Sequence, residues 1–114
     1  MTVPSPSLLN QFAAIVGEAY ALREASAIVP YLTEPREKFV GRTPMVLRPG
    51  SVAEVSAIMR LAHDTGTAIV PQGGNTGLVG GQVPSADGTQ IVVSLTRLNR
   101  VRAVDVDSNT MTVD

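Results

Sequence analysis

Pro71-Gln72-Gly73-Gly74-Asn75-Thr76-Gly77-Leu78-Val79-Gly80-Gly81 is the stretch on which the fold of this 114-residue chain turns. Five glycines fall between Gly73 and Gly81. Glycine has no Cβ, so backbone here can take positive φ or lie close to a ligand. Successive amides in such a loop can converge into a nest for an anion. From Thr65 to Thr96 the only charged residue is Asp87. A phosphate on this loop would therefore be held by amide dipoles, the Thr76 hydroxyl and the Asn75 amide, not by Lys or Arg. The bland alternative is a long flexible turn. Such a turn has no need of two Gly-Gly pairs around a polar Asn-Thr centre.

Two common phosphate loops do not fit. A Walker A loop needs Gly-Lys-Ser/Thr, and the only lysine is Lys38. A Rossmann fingerprint needs glycines at i, i+2 and i+5 ahead of a helix. These glycines lack that spacing, and Pro84 and Gly88 interrupt any helix that follows. A nest loop is expected, not a helix-dipole site.

Upstream, Met45-Val46-Leu47-Arg48 predicts a short strand ended by Pro49-Gly50. Ser51 to Glu54 is a capping box. Val52, Val55, Ile58, Met59 and Ala62 make one helical face, and Gly66 is placed to close it. Ala68-Ile69-Val70 predicts a second strand, ended by Pro71. Downstream, Ile91 to Leu95 predicts a third strand and Val101 to Val106 a fourth. Asp107 to Thr110 is a turn, and Met111 begins a fifth strand. The class is α+β: strand-helix-strand, then further strands and a truncated hairpin.

Residues Met1 to Ser7 read as a loose end, with Ser5-Pro6 as a helix N-cap and N1 pair. Leu8, Leu9, Phe12, Ile15, Val16 and Ala19 recur at helical spacing, with Gly17 as an αL cap or an internal glycine. Glu24 to Pro44 predicts an irregular connector, whose charge run Glu34 to Lys38 is a solvated face. The expected division is 1–44, helix and connector, and 45–114, an incomplete subdomain. A chain halting on a return strand leads to the expectation of an N-terminal piece of a longer protein.

Composition excludes several functions. Nine Lys and Arg oppose ten Asp and Glu, so the basic footprint of a nucleic-acid binder is absent. The four aromatics, Phe12, Tyr20, Tyr31 and Phe39, do not form a base-stacking platform. No cysteine is present, which removes disulfides, thiolate metal sites and cysteine nucleophiles. No apolar run approaches the roughly 18 residues of a membrane span. The first basic residue is Arg23, so no signal-peptide n-region precedes it, and a cytoplasmic location is expected.

The run Pro71 to Pro84, with Gln-Gly-Gly-Asn-Thr-Gly at its centre, resembles the first FAD-binding loop of the vanillyl-alcohol oxidase and p-cresol methylhydroxylase (PCMH) type flavoproteins. Within them it is similar to the D-2-hydroxyglutarate and D-lactate dehydrogenase branch. Leu47-Arg48-Pro49 with Ser51 to Val55, and Ser94 to Val101, resemble the family's flanking segments. The resemblance implies the first α/β subdomain of a PCMH-type FAD-binding domain. It implies that Gly73, Gly74, Asn75, Thr76 and Gly77 face the FAD pyrophosphate. Gly80 and Gly81 would lie near the ribityl chain or flavin, and Pro71 and Gln72 would shape the start of the loop. Thr76 stands where some relatives carry a flavin-linking histidine, so FAD should be non-covalent. The implied reaction is oxidation of a D-2-hydroxy acid (D-2-hydroxyglutarate, D-lactate or glycolate class) to the 2-oxo acid.

The family's catalytic residues and metal ligands match nothing here, so catalytic and metal sites are both expected to be none. These 114 residues should bind FAD weakly and turn nothing over. The expected partners are the rest of the polypeptide and, through it, a hydroxy-acid substrate. A homodimer through an open edge or apolar face is a further expectation. The rival class is a stand-alone module that binds a phosphate compound or a partner. His63 is expected at a helix end, Asp105 and Asp107 in a solvated turn, and Arg48 in an ion pair or at a phosphate. Arg97, Arg100 and Arg102 are expected in ion pairs or contacts.

Overall fold

A computed structural model describes residues 2–114. The Met1 end of the expected loose segment lies outside the described residues. Helix α1 (Pro6–Val16) starts where Ser5 Oγ accepts from the Leu8 amide at 3.2 Å. That bond satisfies one of the free amides at the helix start. Gly17 ends the helix at φ 86, ψ 152, a glycine conformation outside the αL region. Helix α3 (Val52–Thr65) is capped by Ser51, which accepts from the Glu54 amide at 3.2 Å. The Glu54 carboxylate returns to the Gly50 amide at 3.0 Å, one residue short of the expected capping-box partner. Gly66 closes α3 in the αL conformation.

A four-stranded sheet lies in the order β1 (Ala21–Leu22), β2 (Val46–Leu47), β4 (Gln90–Ser94), β3 (Ala68–Gln72). β2, β4 and β3 are parallel, and β1 runs antiparallel to β2. The expected strand-helix-strand unit is β2–α3–β3. Its strands do not touch, because β4 lies between them. Pro71 does not end β3, which continues to Gln72. An edge strand needs ladder donors on one side only, so proline is tolerated there.

Alternate side chains of the strands enter two cores. On one face Met45, Leu47, Ile91 and Val93 pack with Phe12, Ala13 and Val16 of α1 and Ile58 and Ala62 of α3. On the other, Val46 and Val92 pack with Ile28 of the short helix α2 (Ala25–Ile28), flanked by Leu22, Tyr31 and Leu32. The segment read as an irregular connector therefore holds structure. β1 just precedes it, and α2 and a 3-10 turn at Val29–Tyr31 lie within it and cover the second face. Two-residue strands and one-turn helices are too short to show a period. β5 (Val101–Asp105) and β6 (Thr110–Val113) form a separate antiparallel hairpin with every residue exposed.

Candidate cofactor site

The parallel strands end together at Leu47, Gln72 and Ser94, so the segments after them share one edge of the sheet. Ligands of open parallel sheets bind outside the carboxyl ends of the strands. The glycine-rich loop leaves from one of those ends. Gln72 is buried, and its Nε2 donates to the carbonyls of Tyr31 (3.0 Å) and Gln82 (2.9 Å). One side chain thus ties the start of the loop to its far end and to the chain ahead of β2. Gln82 Nε2 donates to the Gly77 carbonyl at 2.8 Å. Asn75 sits at φ 57, and its Nδ2 donates to the carbonyls of Thr33 (2.7 Å) and Pro30 (3.4 Å). Asn75 Oδ1 is buried without a partner. The Asn75 side-chain nitrogen is therefore spent inside the protein, and its backbone amide is what the loop can offer a phosphate.

The amides of Gly73, Gly74, Asn75, Thr76 and Gly77 donate to no group among the described residues. Thr76 is exposed, as are Gly73, Gly74 and Gly77. Four of the five loop glycines divide into two kinds; at the fifth, Gly77, an added Cβ would meet the Gln82 side chain at 2.9 Å. Gly80 has φ 85 and lies under the Phe39 ring, where an added Cβ would come within 2.7 Å of Phe39 Cδ2. Gly73, Gly74 and Gly81 have neither positive φ nor a crowded side: a Cβ on Gly73 or Gly81 meets nothing within 4 Å, and one on Gly74 only Thr76 Cγ2 at 4.0 Å. Nothing inside the chain requires glycine there.

The run Glu34 to Lys38 is not simply a solvated face. Glu34 is 1% exposed, and its carboxylate accepts from the amides of Arg36 (2.9 Å), Phe39 (3.3 Å) and Lys38. Burial pushes this carboxyl up. The three amides and the Arg36 charge outweigh burial and hold it below the ordinary range. The turn so formed sends Arg36 Nη2 to the Leu78 carbonyl at 3.0 Å. Sequence reasoning missed Thr33, Glu34, Arg36 and Phe39 as neighbours of the loop. Pro35 marks a turn there but not what the turn packs against.

The model of the FAD binding domain matches residues 43–114. The chain belongs to the FAD-binding domain family. The D-2-hydroxyglutarate–pyruvate transhydrogenase of Saccharomyces cerevisiae is 45% identical over 78 residues, 68% of this chain and 15% of that protein. The mitochondrial D-2-hydroxyglutarate dehydrogenase of Arabidopsis thaliana is 33% identical over 97 residues, 85% of this chain and 17% of that one. Among solved structures, p-cresol methylhydroxylase superposes with a TM-score of 0.71 at 22% identity, covering 87% of this chain and 20% of its own. That likeness is one of fold, and it bears out the PCMH-type architecture. This FAD-binding domain thus spans less than a fifth of the length of those two curated relatives.

The loop of the FAD-binding domain fits the pyrophosphate of FAD. Its amides from Gly73 to Gly77 have no internal acceptor among the described residues, and a Cβ added to Gly73 meets nothing within 4 Å and one on Gly74 only Thr76 Cγ2, which leaves room for close approach. Asp87, the nearest acid in sequence, is turned into its own bend, accepting from Ser85 Oγ at 2.6 Å and Thr89 Oγ1 at 2.8 Å.

The remaining candidates make no hydrogen bond to the loop among the described residues. His63 is in the last turn of α3. Asp105 closes the hairpin turn by accepting from the Asp107 and Ser108 amides. Arg48 makes no ion pair among the described residues, and its Nε is buried without a partner. Arg97 lies 3.6 Å from the Tyr20 ring centroid and donates to the Arg48 carbonyl at 2.7 Å. Arg100 and Arg102 pair with Asp114. No helix among the described residues is long and apolar enough to cross a membrane.

Proposed function

We propose that this chain supplies the pyrophosphate-binding loop of an FAD-dependent oxidoreductase that oxidises a D-2-hydroxy acid to its 2-oxo acid. The observation that carries the loop's role is the pair Gly73-Gly74, which no positive φ and no internal crowding explains, beside amides without internal partners. The substrate class rests on the names of the relatives, a D-2-hydroxyglutarate–pyruvate transhydrogenase and a D-2-hydroxyglutarate dehydrogenase. When bound, FAD supplies the hydride acceptor. This chain's residues bind and orient it: the amides of Gly73 to Gly77 neutralise phosphate charge, Thr76 adds a hydroxyl, and Gly80 and Gly81 keep the backbone near the ribityl chain. A threonine cannot form the flavin–histidine bond, so the cofactor is held non-covalently through this loop.

The substrate and the catalytic groups belong, on this reading, to further polypeptide, and residues 1–114 alone hold FAD weakly and are inactive. Residues 1–44 serve as helix and connector to the subdomain at 45–114. A cytoplasmic location and a homodimer remain parts of the proposal. Calorimetric titration of FAD tests it, comparing residues 1–114, the protein expressed from its whole reading frame, and Gly74→Val in the latter. Tight binding by the whole protein, weak binding by residues 1–114 and almost none by Gly74→Val is expected. FAD binding unchanged in the variant would remove the loop from the pyrophosphate and favour a module that binds another phosphate compound or a partner.

A further inference from the structure

The proposed cofactor loop is long, glycine-rich and exposed, and it would pay a large ordering cost on binding unless something held it beforehand. Its first half is held by Gln72 and Asn75. In its second half, Leu78 and Gly80 meet the turn 34–39. Arg36 Nη2 donates to the Leu78 carbonyl at 3.0 Å, and the Phe39 ring covers Gly80. Arg36 is also the only cation with a hydrogen bond to the loop among the described residues.

We propose that the turn built on Glu34 is a clamp for the cofactor loop, in which Arg36 and Phe39 are positioning residues that set the Leu78–Gly80 arm before FAD arrives. This rests on the reading that the loop holds FAD. Glu34 acts at one remove. Its carboxylate draws the amides of Arg36, Lys38 and Phe39 around itself, and from that closed turn both side chains reach the loop. A buried carboxylate meeting three amides is a rigid hub, since each bond to a charged acceptor is stronger than a neutral one. The clamp also explains why a segment of mixed charge, Glu34 to Lys38, lies against a loop that itself carries no charge.

The test uses the FAD-loaded protein expressed from its whole reading frame and reads the rate of FAD release by recovery of flavin fluorescence. Arg36 is exposed, so truncating it leaves the core intact. Arg36→Ala is expected to release FAD about tenfold faster than wild type, the loss of one charge-assisted bond. Arg36→Lys, which keeps a donor, should stay within about twofold, and thermal unfolding of the FAD-free forms should coincide. A merely structural residue would move unfolding and would not be rescued by lysine. Hydrogen exchange at Leu78 to Gly81 should rise in Arg36→Ala. Release from Arg36→Ala at the wild-type rate, with Gly74→Val devoid of FAD, overturns the clamp and leaves the cofactor site standing. Undiminished binding by Gly74→Val overturns the cofactor site, and the clamp falls with it.

Discussion

Asn75 Nδ2 lies 2.7 Å from the carbonyl oxygen of Thr33, so the centre of the glycine-rich loop is fastened to a segment 42 residues earlier in the chain. The two residues meet because the loop leaves β3 on the side of the sheet that residues Tyr31 and Leu32 help to cover. The fastening fixes the loop's direction before any ligand is present. It also holds a non-glycine residue at positive φ, a conformation asparagine tolerates better than most.

Asn75→Gly and Asn75→Ala should separate those two contributions. Glycine keeps the backbone angle and loses the side-chain bonds, at a cost of about 1 kcal/mol in urea unfolding. Alanine loses the bonds and strains the backbone, adding roughly 1 kcal/mol more. Equal unfolding midpoints for wild type and Asn75→Gly would show that the Thr33 bond contributes nothing.

Gly74→Ala should leave stability within about 0.5 kcal/mol of wild type, as expected of a substitution that meets no strain and no crowding. Gly80→Ala should be costly, by roughly 1–3 kcal/mol, because its φ is 85 and its Cβ would collide with Phe39. Chemical denaturation of the two variants side by side tests whether the glycines divide into ligand-facing and structural kinds. Comparable losses would refute the division.

Gly41→Ala places a Cβ on the backbone oxygen and carbon of Pro84, atoms that cannot swing aside as a side chain can. Destabilisation of about 3 kcal/mol is expected, at the upper end of overpacking costs. Circular dichroism during urea unfolding reads it directly.

Phe12→Ala should cost on the order of 3–5 kcal/mol, the range for a buried aromatic removed from a core. Phe12 shares its core with Leu47, Ile58 and Ile91. Loss of α1 packing should therefore lower the single unfolding transition of the sheet as well. A separate early transition confined to the first helix would show that the two are not one cooperative unit.

Acid should loosen the Glu34 turn. The folded-state pKa of Glu34 lies below its ordinary value of 4.5, so its contribution is fully present above that pH and is lost as the pH falls through the lowered value. Asp87 is lowered by the Ser85 hydroxyl and the Thr89 amide and hydroxyl, so its contribution is lost in the same direction. Glu34→Gln is expected to be less stable at neutral pH and to lose less stability on acidification. A stability–pH profile parallel to wild type below pH 4.5 would show that Glu34 carries no such linkage.

Much of this was legible one segment at a time. Ser5 and Ser51 as caps, Gly66 as a stop, the strands around Ile69 and Val92 and a hairpin turn, read at Asp107 to Thr110 and found at 106–109, depend on near neighbours, which a sequence displays. The glycine-rich loop was legible for the same reason, since its composition has few other uses. The place of β4 between β2 and β3 was not legible, because pairing is decided by which faces can be buried together. Nor were Arg36 and Phe39, which look solvated or incidental in the linear chain and become loop contacts only when residues about 40 positions apart meet. Near-neighbour patterns carry the caps, the longer helices and strands, and the glycine-rich composition of the loop. Which glycines face outward and which segment holds the loop in place emerge from the folded arrangement alone, because both depend on distances between residues that the chain does not keep adjacent.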